Sequence, residues 1–132
     1  MQHCSGIQSL LLRNGNLFSA SRDSTIKRWS VREDHAPTFR ANYEGHCDWV
    51  NDIAFVDQYL ASASSDGTVR LWNVEKKNCI LALTDHVDYV SCLTSAPGHS
   101  ILASAGLRAE IFVYDIEVRD GGRGEGLRGN GV

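Results

Sequence analysis

The sequence has no cluster of basic residues. Its 13 Lys and Arg are outnumbered by 16 Asp and Glu, which gives a formal net charge of -3 and a pI near 5.9. Proteins that bind nucleic acid usually carry a concentrated positive surface that attracts the phosphate backbone. The charge balance therefore disfavours a nucleic-acid partner.

The sequence also has no long apolar run. The opening stretch, MQHCSGIQSLLLRNGN, has a short apolar core with no basic segment before it. A transmembrane helix needs about 20 apolar residues, and a secretory signal needs a basic segment ahead of its apolar region. We therefore expect no membrane partner and an intracellular location, in the cytoplasm, the nucleus or both.

A metal-binding cysteine pattern is missing as well. The four cysteines are Cys4, Cys47, Cys79 and Cys92. They form no C-x-x-C pair, and their spacings match no zinc or redox signature. We expect reduced thiols, no metal site and no cofactor.

No helical periodicity persists long enough to form a helix. Short β-branched or aromatic runs between turn residues are typical of strands, so the sequence predicts an all-β chain. In the middle of the chain the predicted strands lie near 49–56, 59–64, 68–74 and 78–84. The dipeptide Asp66-Gly67 predicts a two-residue hairpin turn in which both residues have positive φ.

One phrase is repeated through the chain. LFSASRDSTIKRW at 17–29 and LASASSDGTVRLW at 60–72 are identical at seven of 13 positions, and LASAGLRAEIFVY begins a third copy. In that copy Arg108 stands where the aspartate is expected and Tyr114 replaces the tryptophan. A histidine precedes each copy, and a period of about 40 residues indicates an array of similar units.

These units resemble WD40 repeats, because GH at 45–46 is followed by SASSDGTVRLWNV at 62–74. The resemblance implies a β-propeller whose blades are four-stranded antiparallel sheets. Three blades are too few to close a ring of about 4–8 blades. We therefore expect a partial propeller, an open arc of about three blades with apolar surface exposed at its two flanks. We expect the chain to be a fragment of a larger protein or a truncated product, the alternative being that it pairs with other chains.

The resemblance also sets the expected boundaries. The second blade covers 45–84 and the third 85–118, the third without its outer strand because the following residues are rich in glycine. The full division is a lead-in at 1–5, blades at 6–44, 45–84 and 85–118, and a disordered tail at 119–132.

The phrases DWVNDI and ASAGL are closer to one group, the family of WD repeat-containing protein 48. That similarity implies a non-catalytic scaffold that binds and activates ubiquitin-specific proteases, and so a part in deubiquitination. A generic WD40 adaptor of another intracellular complex is the alternative, and in both interpretations the partner is another protein.

The repeated His, Ser and Asp raise a third alternative, a serine hydrolase with Ser62 or Ser64 as nucleophile. Recurrence of the set in each unit and the lack of a G-x-S-x-G motif argue against catalysis. The resemblance instead implies a structural hydrogen-bond network in each blade, so we predict no catalytic residue. Its members are His3, Ser19, Asp23 and Trp29, then His46, Ser62, Asp66 and Trp72, and then an incomplete set of His86, Ser104 and Tyr114.

Loop residues beside these networks differ between units and are the candidates for binding a partner. They are Arg22, Asp48, Trp49, Ser65, Asp88 and Tyr89. For Trp49 and Tyr89 the alternative is packing between neighbouring blades, and the charged residues could simply be solvated.

Overall fold

The chain folds into three antiparallel sheets of consecutive strands. The computed structural model describes the backbone of residues 2–119 and 123–128 and the side chains of residues 2–116. All regular elements in these ranges are strands, and no described helix is long and apolar enough to cross a membrane. The strands are β1 Ile7–Arg13, β2 Asn16–Ser21, β3 Ile26–Arg32 and β4 His35–Tyr43; β5 Val50–Val56, β6 Tyr59–Ser64, β7 Val69–Asn73 and β8 Asn78–Leu83; and β9 Val90–Ser95, β10 Ile101–Gly106, β11 Ile111–Arg119 and β12 Arg123–Arg128.

The prediction of an all-β chain of antiparallel sheets in an open arrangement is confirmed. Each sheet is a meander in which neighbouring strands along the chain are hydrogen-bonded neighbours in space. In the second sheet, the observed strands fall within the four predicted segments.

The outer position of the third sheet differs from the expectation. The sequence suggested that no strand would stand there, but the backbone of Arg123–Arg128 pairs antiparallel with β11, with Ile116 opposite Gly126. Backbone pairing needs no apolar side chains, so a pattern search does not reveal such a strand. Residues 120–122 and 129–132 of the expected disordered tail lie outside the described residues.

The predicted two-residue turn at Asp66-Gly67 is wrong. The Gly67 amide donates to the Ser64 carbonyl, and the Ser64 amide donates to the Thr68 carbonyl, which closes a three-residue loop. Only Gly67, at φ 86°, has positive φ in this loop. This is a type I turn followed by a left-handed residue.

The same loop recurs in the other two sheets. The left-handed position is taken there by Ser24, at φ 69°, and by Ala109, at φ 60°. Both residues carry a Cβ, which makes this conformation less favourable than it is for glycine.

Two apolar cores lie between neighbouring sheets. Phe18, Ile26 and Tyr43 of the first sheet pack against Leu60 and Trp72 of the second. Buried apolar area is the main favourable term in folding, so each sheet depends on its neighbour for stability.

The second core has the same construction. Val69 and Leu71 of the second sheet pack against Leu102, Tyr114 and Ile116 of the third. The middle sheet therefore buries both of its faces.

Two hydrogen bonds to Asp52 connect β1, β5 and β9, the first strands of the three sheets. The hydroxyl of Ser9 on β1 donates to Oδ1 of Asp52 over 2.9 Å. The backbone amide of Leu93 on β9 donates to Oδ2 of the same carboxylate over 2.8 Å. Asp52 on β5 thus links the first sheet to the third and limits how far the arc can open.

Candidate functional site

The second sheet has a buried hydrogen-bond network at its hairpin end. His46 lies on the loop before β5, with Nε2 2.6 Å from Oγ of Ser62 on β6 and Nδ1 2.8 Å from Oδ2 of Asp66 in the hairpin. Nε1 of Trp72 on β7 donates to the same Ser62 oxygen over 2.8 Å. The structure thus brings these four predicted residues into contact.

The hydrogen bonds assign the direction of each proton in this network. Because the Asp66 carboxylate only accepts, His46 carries its proton on Nδ1, and Nε2 then accepts from the Ser62 hydroxyl. Ser62 in turn accepts from the indole of Trp72. Each buried polar atom in the chain from Trp72 to Asp66 is therefore satisfied.

Asp66 accepts further bonds that were not predicted from the sequence. Oδ1 accepts from the amide of Thr68 over 2.9 Å and from its hydroxyl over 2.6 Å, while Oδ2 also accepts from the amide of Cys47 over 3.1 Å. One carboxylate therefore holds the hairpin, the loop before β5 and the histidine together. The signal for Thr68 was present, since Thr25 stands at the same place in the first copy.

These bonds change the acidity of the carboxyl group. Burial alone would raise the pKa of Asp66, but hydrogen bonds from His46, Thr68 and the Cys47 amide outweigh burial and hold its pKa far below the ordinary value of 3.8. Asp66 is thus ionised at neutral pH, as an acceptor of four bonds must be.

The first sheet repeats the arrangement. His3 contacts Asp23 at 2.8 Å and Ser19 at 2.7 Å, and Trp29 donates to Ser19 over 3.0 Å. Thr25 and the Cys4 amide bond to Asp23 in the same way, and their hydrogen bonds, opposed by burial, also hold the pKa of Asp23 far below 3.8.

The third sheet keeps only part of this network. His86 Nε2 lies 2.7 Å from Ser104 Oγ, while Arg108 stands at the aspartate position and points outward to Asp88, with Nε 3.6 Å from Oδ2. The His86 ring instead packs edge-on against Phe112 at 4.7 Å. Tyr114 is buried and stacks on the same Phe112 ring.

The third sheet also lacks the serine that accepts a hydrogen bond from the amide of the hairpin aspartate in the other two sheets. Ser64 Oγ accepts from the Asp66 amide over 3.1 Å, and Ser21 does the same for Asp23. Gly106 takes this position in the third sheet, where a Cβ would lie 2.6 Å from the Tyr89 carbonyl oxygen. The third hairpin has therefore closed onto the Tyr89 backbone, which leaves no space for a serine.

Serine contacts histidine and histidine contacts aspartate, as in a hydrolase triad, but the surroundings of these residues do not suit catalysis. Ser62 is 0% exposed and Ser19 is 4% exposed, so a substrate carbonyl cannot approach either oxygen. The Trp72 indole also occupies the Ser62 oxygen as a donor. The arrangement is suited to locking a hairpin, and among the described residues no group of three or more His, Cys, Asp or Glu could hold a metal ion.

The WD domain, G-beta repeat family matches residues 37–73 and 77–115, more than half of the chain. The chain belongs to the WD40 repeat family. Proteins of this family are typically non-catalytic scaffolds that mediate protein binding. Each matched WD40 repeat starts within or just before the outer strand of one sheet and ends at the third strand of the next.

The candidate surface residues of this WD40 chain lie together at the hairpin end of the sheets. In each sheet the amide just before the hairpin aspartate position donates to a carbonyl of the preceding loop, as Ser65 does to Trp49 over 2.9 Å and Leu107 to Tyr89 over 3.0 Å. We call this surface the hairpin face. Its members are Arg22, Asp48, Trp49, Ser65, Val87, Asp88, Tyr89 and Leu107.

The aromatic residues of the hairpin face are neither fully packed nor fully free. Trp49 is 42% exposed and Tyr89 48% exposed. The guanidinium of Arg22, on the first sheet, lies 4.3 Å from the ring centre of Trp49 on the second. Trp49 thus has one side against its neighbour and one side toward solvent.

The polar residues of this face shape the loops. Asp48 Oδ1 accepts from the Trp49 amide over 2.7 Å, and Asp88 Oδ1 accepts from the Tyr89 amide over 2.8 Å. Ser65 Oγ accepts from Asn51 over 3.0 Å. Val87 and Leu107, which are exposed and apolar, were not among the predicted surface residues, although Leu107 stands in the third copy at the position of Arg22 and Ser65.

Proposed function

We propose that this chain is a non-catalytic scaffold that binds a protein partner through its hairpin face. The observation that carries the proposal is the exposure of Trp49 and Tyr89 on loops that hydrogen bonds hold in place, through Asp66 for the loop of Trp49 and through the Leu107 amide for that of Tyr89. Trp, Tyr and Arg are the residues most often found at the energetic centre of protein interfaces. Rigid loops also lose little conformational entropy when a partner binds.

The chemistry of the hairpin face favours a folded partner with an apolar centre and a polar rim. Trp49, Val87, Tyr89 and Leu107 supply apolar area, while Arg22 and two aspartates supply charges of both signs. A partner whose surface carries a single sign of charge would find no match here, which agrees with the unfavourable charge balance for nucleic acid.

The finer proposal is that the partner is a ubiquitin-specific protease. Its support is the resemblance of the DWVNDI and ASAGL phrases to the WD repeat-containing protein 48 family. An adaptor role in another complex is the second candidate. In both cases we propose an intracellular setting, in the cytoplasm or nucleus, since WD40 proteins usually act there.

The test uses the purified chain and a panel of ubiquitin-specific protease catalytic domains. Binding is measured by biolayer interferometry, and activation by the hydrolysis rate of a fluorogenic ubiquitin substrate. We expect binding by at least one protease and a higher rate for that protease. Trp49→Ala and Tyr89→Ala should each weaken binding by about tenfold or more, the effect of losing an interface anchor.

Gln58→Ala is the matched control, because Gln58 is exposed on the β5–β6 turn at the opposite end of the same sheet. Binding to no protease of the panel would refute the deubiquitination role, and binding to another protein with the same response to the Trp49 and Tyr89 variants would then support the scaffold alone. Binding that neither aromatic variant weakens would refute the hairpin face.

A further inference from the structure

The middle sheet has two chemically different faces, and both are buried. The face toward the third sheet carries Ala61 opposite Leu71 and Ala63 opposite Val69, all between 0% and 1% exposed. We call this type the alanine face.

The other side of the middle sheet is larger and more irregular. It carries Ile53 and the pair of Leu60 opposite Trp72, which pack against the first sheet and are at most 4% exposed. We call this type the tryptophan face.

Each of the two outermost faces of the three-sheet arc is of one of these two kinds and is exposed to solvent. The third sheet presents an alanine face, with Ala103 opposite Val113 and Ala105 opposite Ile111. Ile111 is 41% exposed and Val113 36% exposed, although their counterparts in the middle sheet are buried.

The first sheet presents an open tryptophan face. Leu17 lies opposite Trp29, as Leu60 does opposite Trp72, and Leu10 lies opposite Ser19, as Ile53 does opposite Ser62. Leu10 is 61% exposed, whereas Ile53 is 4% exposed.

We infer that two copies of this chain associate head to tail, with the alanine face of the third sheet in one copy covering the tryptophan face of the first sheet in the other. The intermolecular contact continues the two packing arrangements that the chain already makes between its own sheets. The two open faces have the residue types at matched register positions that these internal contacts require. Shape-matched apolar faces of this kind are the usual cores of stable oligomers.

Such a contact is heterologous, because it joins two different surfaces. In a pair of copies it forms twice, related by a twofold axis, and gives a ring of six blades. Six lies within the range of about 4–8 blades in closed propellers. The hairpin faces of both copies would then lie on the same side of the ring, because the internal packing keeps all hairpins at one end.

The test is analytical ultracentrifugation of the full chain over a range of concentrations, with Leu10→Asp and Ile111→Asp as single variants. We expect the wild-type chain to sediment as a pair. Each single variant should sediment as a monomer, with association weakened at least about 100-fold, because a carboxylate would be buried without a partner. Both positions are exposed in the single chain, Leu10 at 61% and Ile111 at 41%, so far-UV circular dichroism should show both variants folded.

The decisive sample is an equal mixture of the two variants. Leu10→Asp keeps a normal alanine face and Ile111→Asp keeps a normal tryptophan face, so the mixture can form one intact joint and should recover a two-chain species. Val87→Asp, a change on the exposed hairpin face, is the control and should still pair. A wild-type monomer at every concentration, a mixture that stays monomeric, or association lost in only one of the single variants would overturn the inference.

Discussion

Replacing Asp66 with alanine should destabilise the chain more than any other single change to a polar residue in the second sheet. The carboxylate accepts from His46, the Cys47 amide, and the amide and hydroxyl of Thr68. The Cys47 residue is exposed, so water can replace that bond, and the Thr68 hydroxyl can rotate to another acceptor. The unavoidable losses are the buried His46 ring proton and the Thr68 amide.

Each buried donor left without a partner costs about 1–3 kcal/mol. Two donors give about 2–6 kcal/mol in this range, and because Thr68 is only partly buried we expect a decrease in the free energy of unfolding of about 2–4 kcal/mol. Asp66→Asn should cost less, because the amide oxygen can still accept from Thr68. In urea denaturation followed by tryptophan fluorescence, a loss of this size moves the midpoint by roughly 1–2 M at typical m values.

Asp34→Ala is the matched control, since the Asp34 side chain is 74% exposed. It should change the free energy of unfolding by less than about 0.5 kcal/mol. If Asp66→Ala were as mild as Asp34→Ala, the network would be a consequence of the fold and not one of the interactions that stabilise it.

Three further predictions concern acid, neutral pH and turn geometry. The pKa values of Asp23 and Asp66 are depressed in the folded chain, so the stability that the two carboxylates contribute is complete above the unfolded pKa near 3.8 and is lost as the pH falls below it. The loss in the free energy of unfolding should approach about 1.4 kcal/mol per pH unit for each carboxylate. Asp66→Ala should reduce this slope when urea denaturation is measured at a series of acid pH values. Burial holds the pKa of His86 below 6.5 despite the opposing charges of Glu110 and Asp85, so the free energy of unfolding should also decrease as the pH drops from 7 through 6.5 toward 5. His86→Gln should remove this pH dependence when unfolding is measured over the same pH range. Ala109→Gly should raise the midpoint of thermal unfolding and Gly67→Ala should lower it, because both loops need a residue in the left-handed conformation. Each change corresponds to about 1 kcal/mol in the free energy of unfolding, and a Cβ on Gly67 would meet only ordinary contacts. Effects of the same sign and size for the two variants would refute the turn assignment.

The parts of the fold that repeat in the sequence were predictable from it. The resemblance of the copies to WD40 repeats implied the network of His, Ser, Asp and Trp, and the short β-branched or aromatic runs between turn residues indicated the strands. Thr25 and Thr68 belonged to the same repeated phrase, but a role for their hydroxyls follows only from the position of the carboxylate in the folded turn.

The remaining features depend on contacts that no local pattern encodes. Asp66-Gly67 suggested a two-residue turn. The bond that the Asp66 carboxylate accepts from the Thr68 amide and the bond that the Asp66 amide donates to Ser64 instead favour a longer loop in which Asp66 keeps negative φ. His86, on the loop before β9, packs against Phe112 of β11, and this tertiary contact joins residues more than 20 positions apart, so no local pattern shows it.

The offset between the sequence repeat and the sheet explains why the hairpin face can act as one surface. The repeat at 37–73 includes most of β4 of the first sheet, whose Tyr43 packs against Trp72 at 6.0 Å and donates its hydroxyl to the Val74 carbonyl over 2.8 Å. Each repeat is thus anchored in two sheets, so neighbouring sheets cannot shift without breaking a core. Because the sheets are held in this way, a contact that crosses between them, such as Arg22 on Trp49, keeps its geometry in the free protein. A partner that binds across this boundary therefore meets residues from two sheets already in position, without having to order them first.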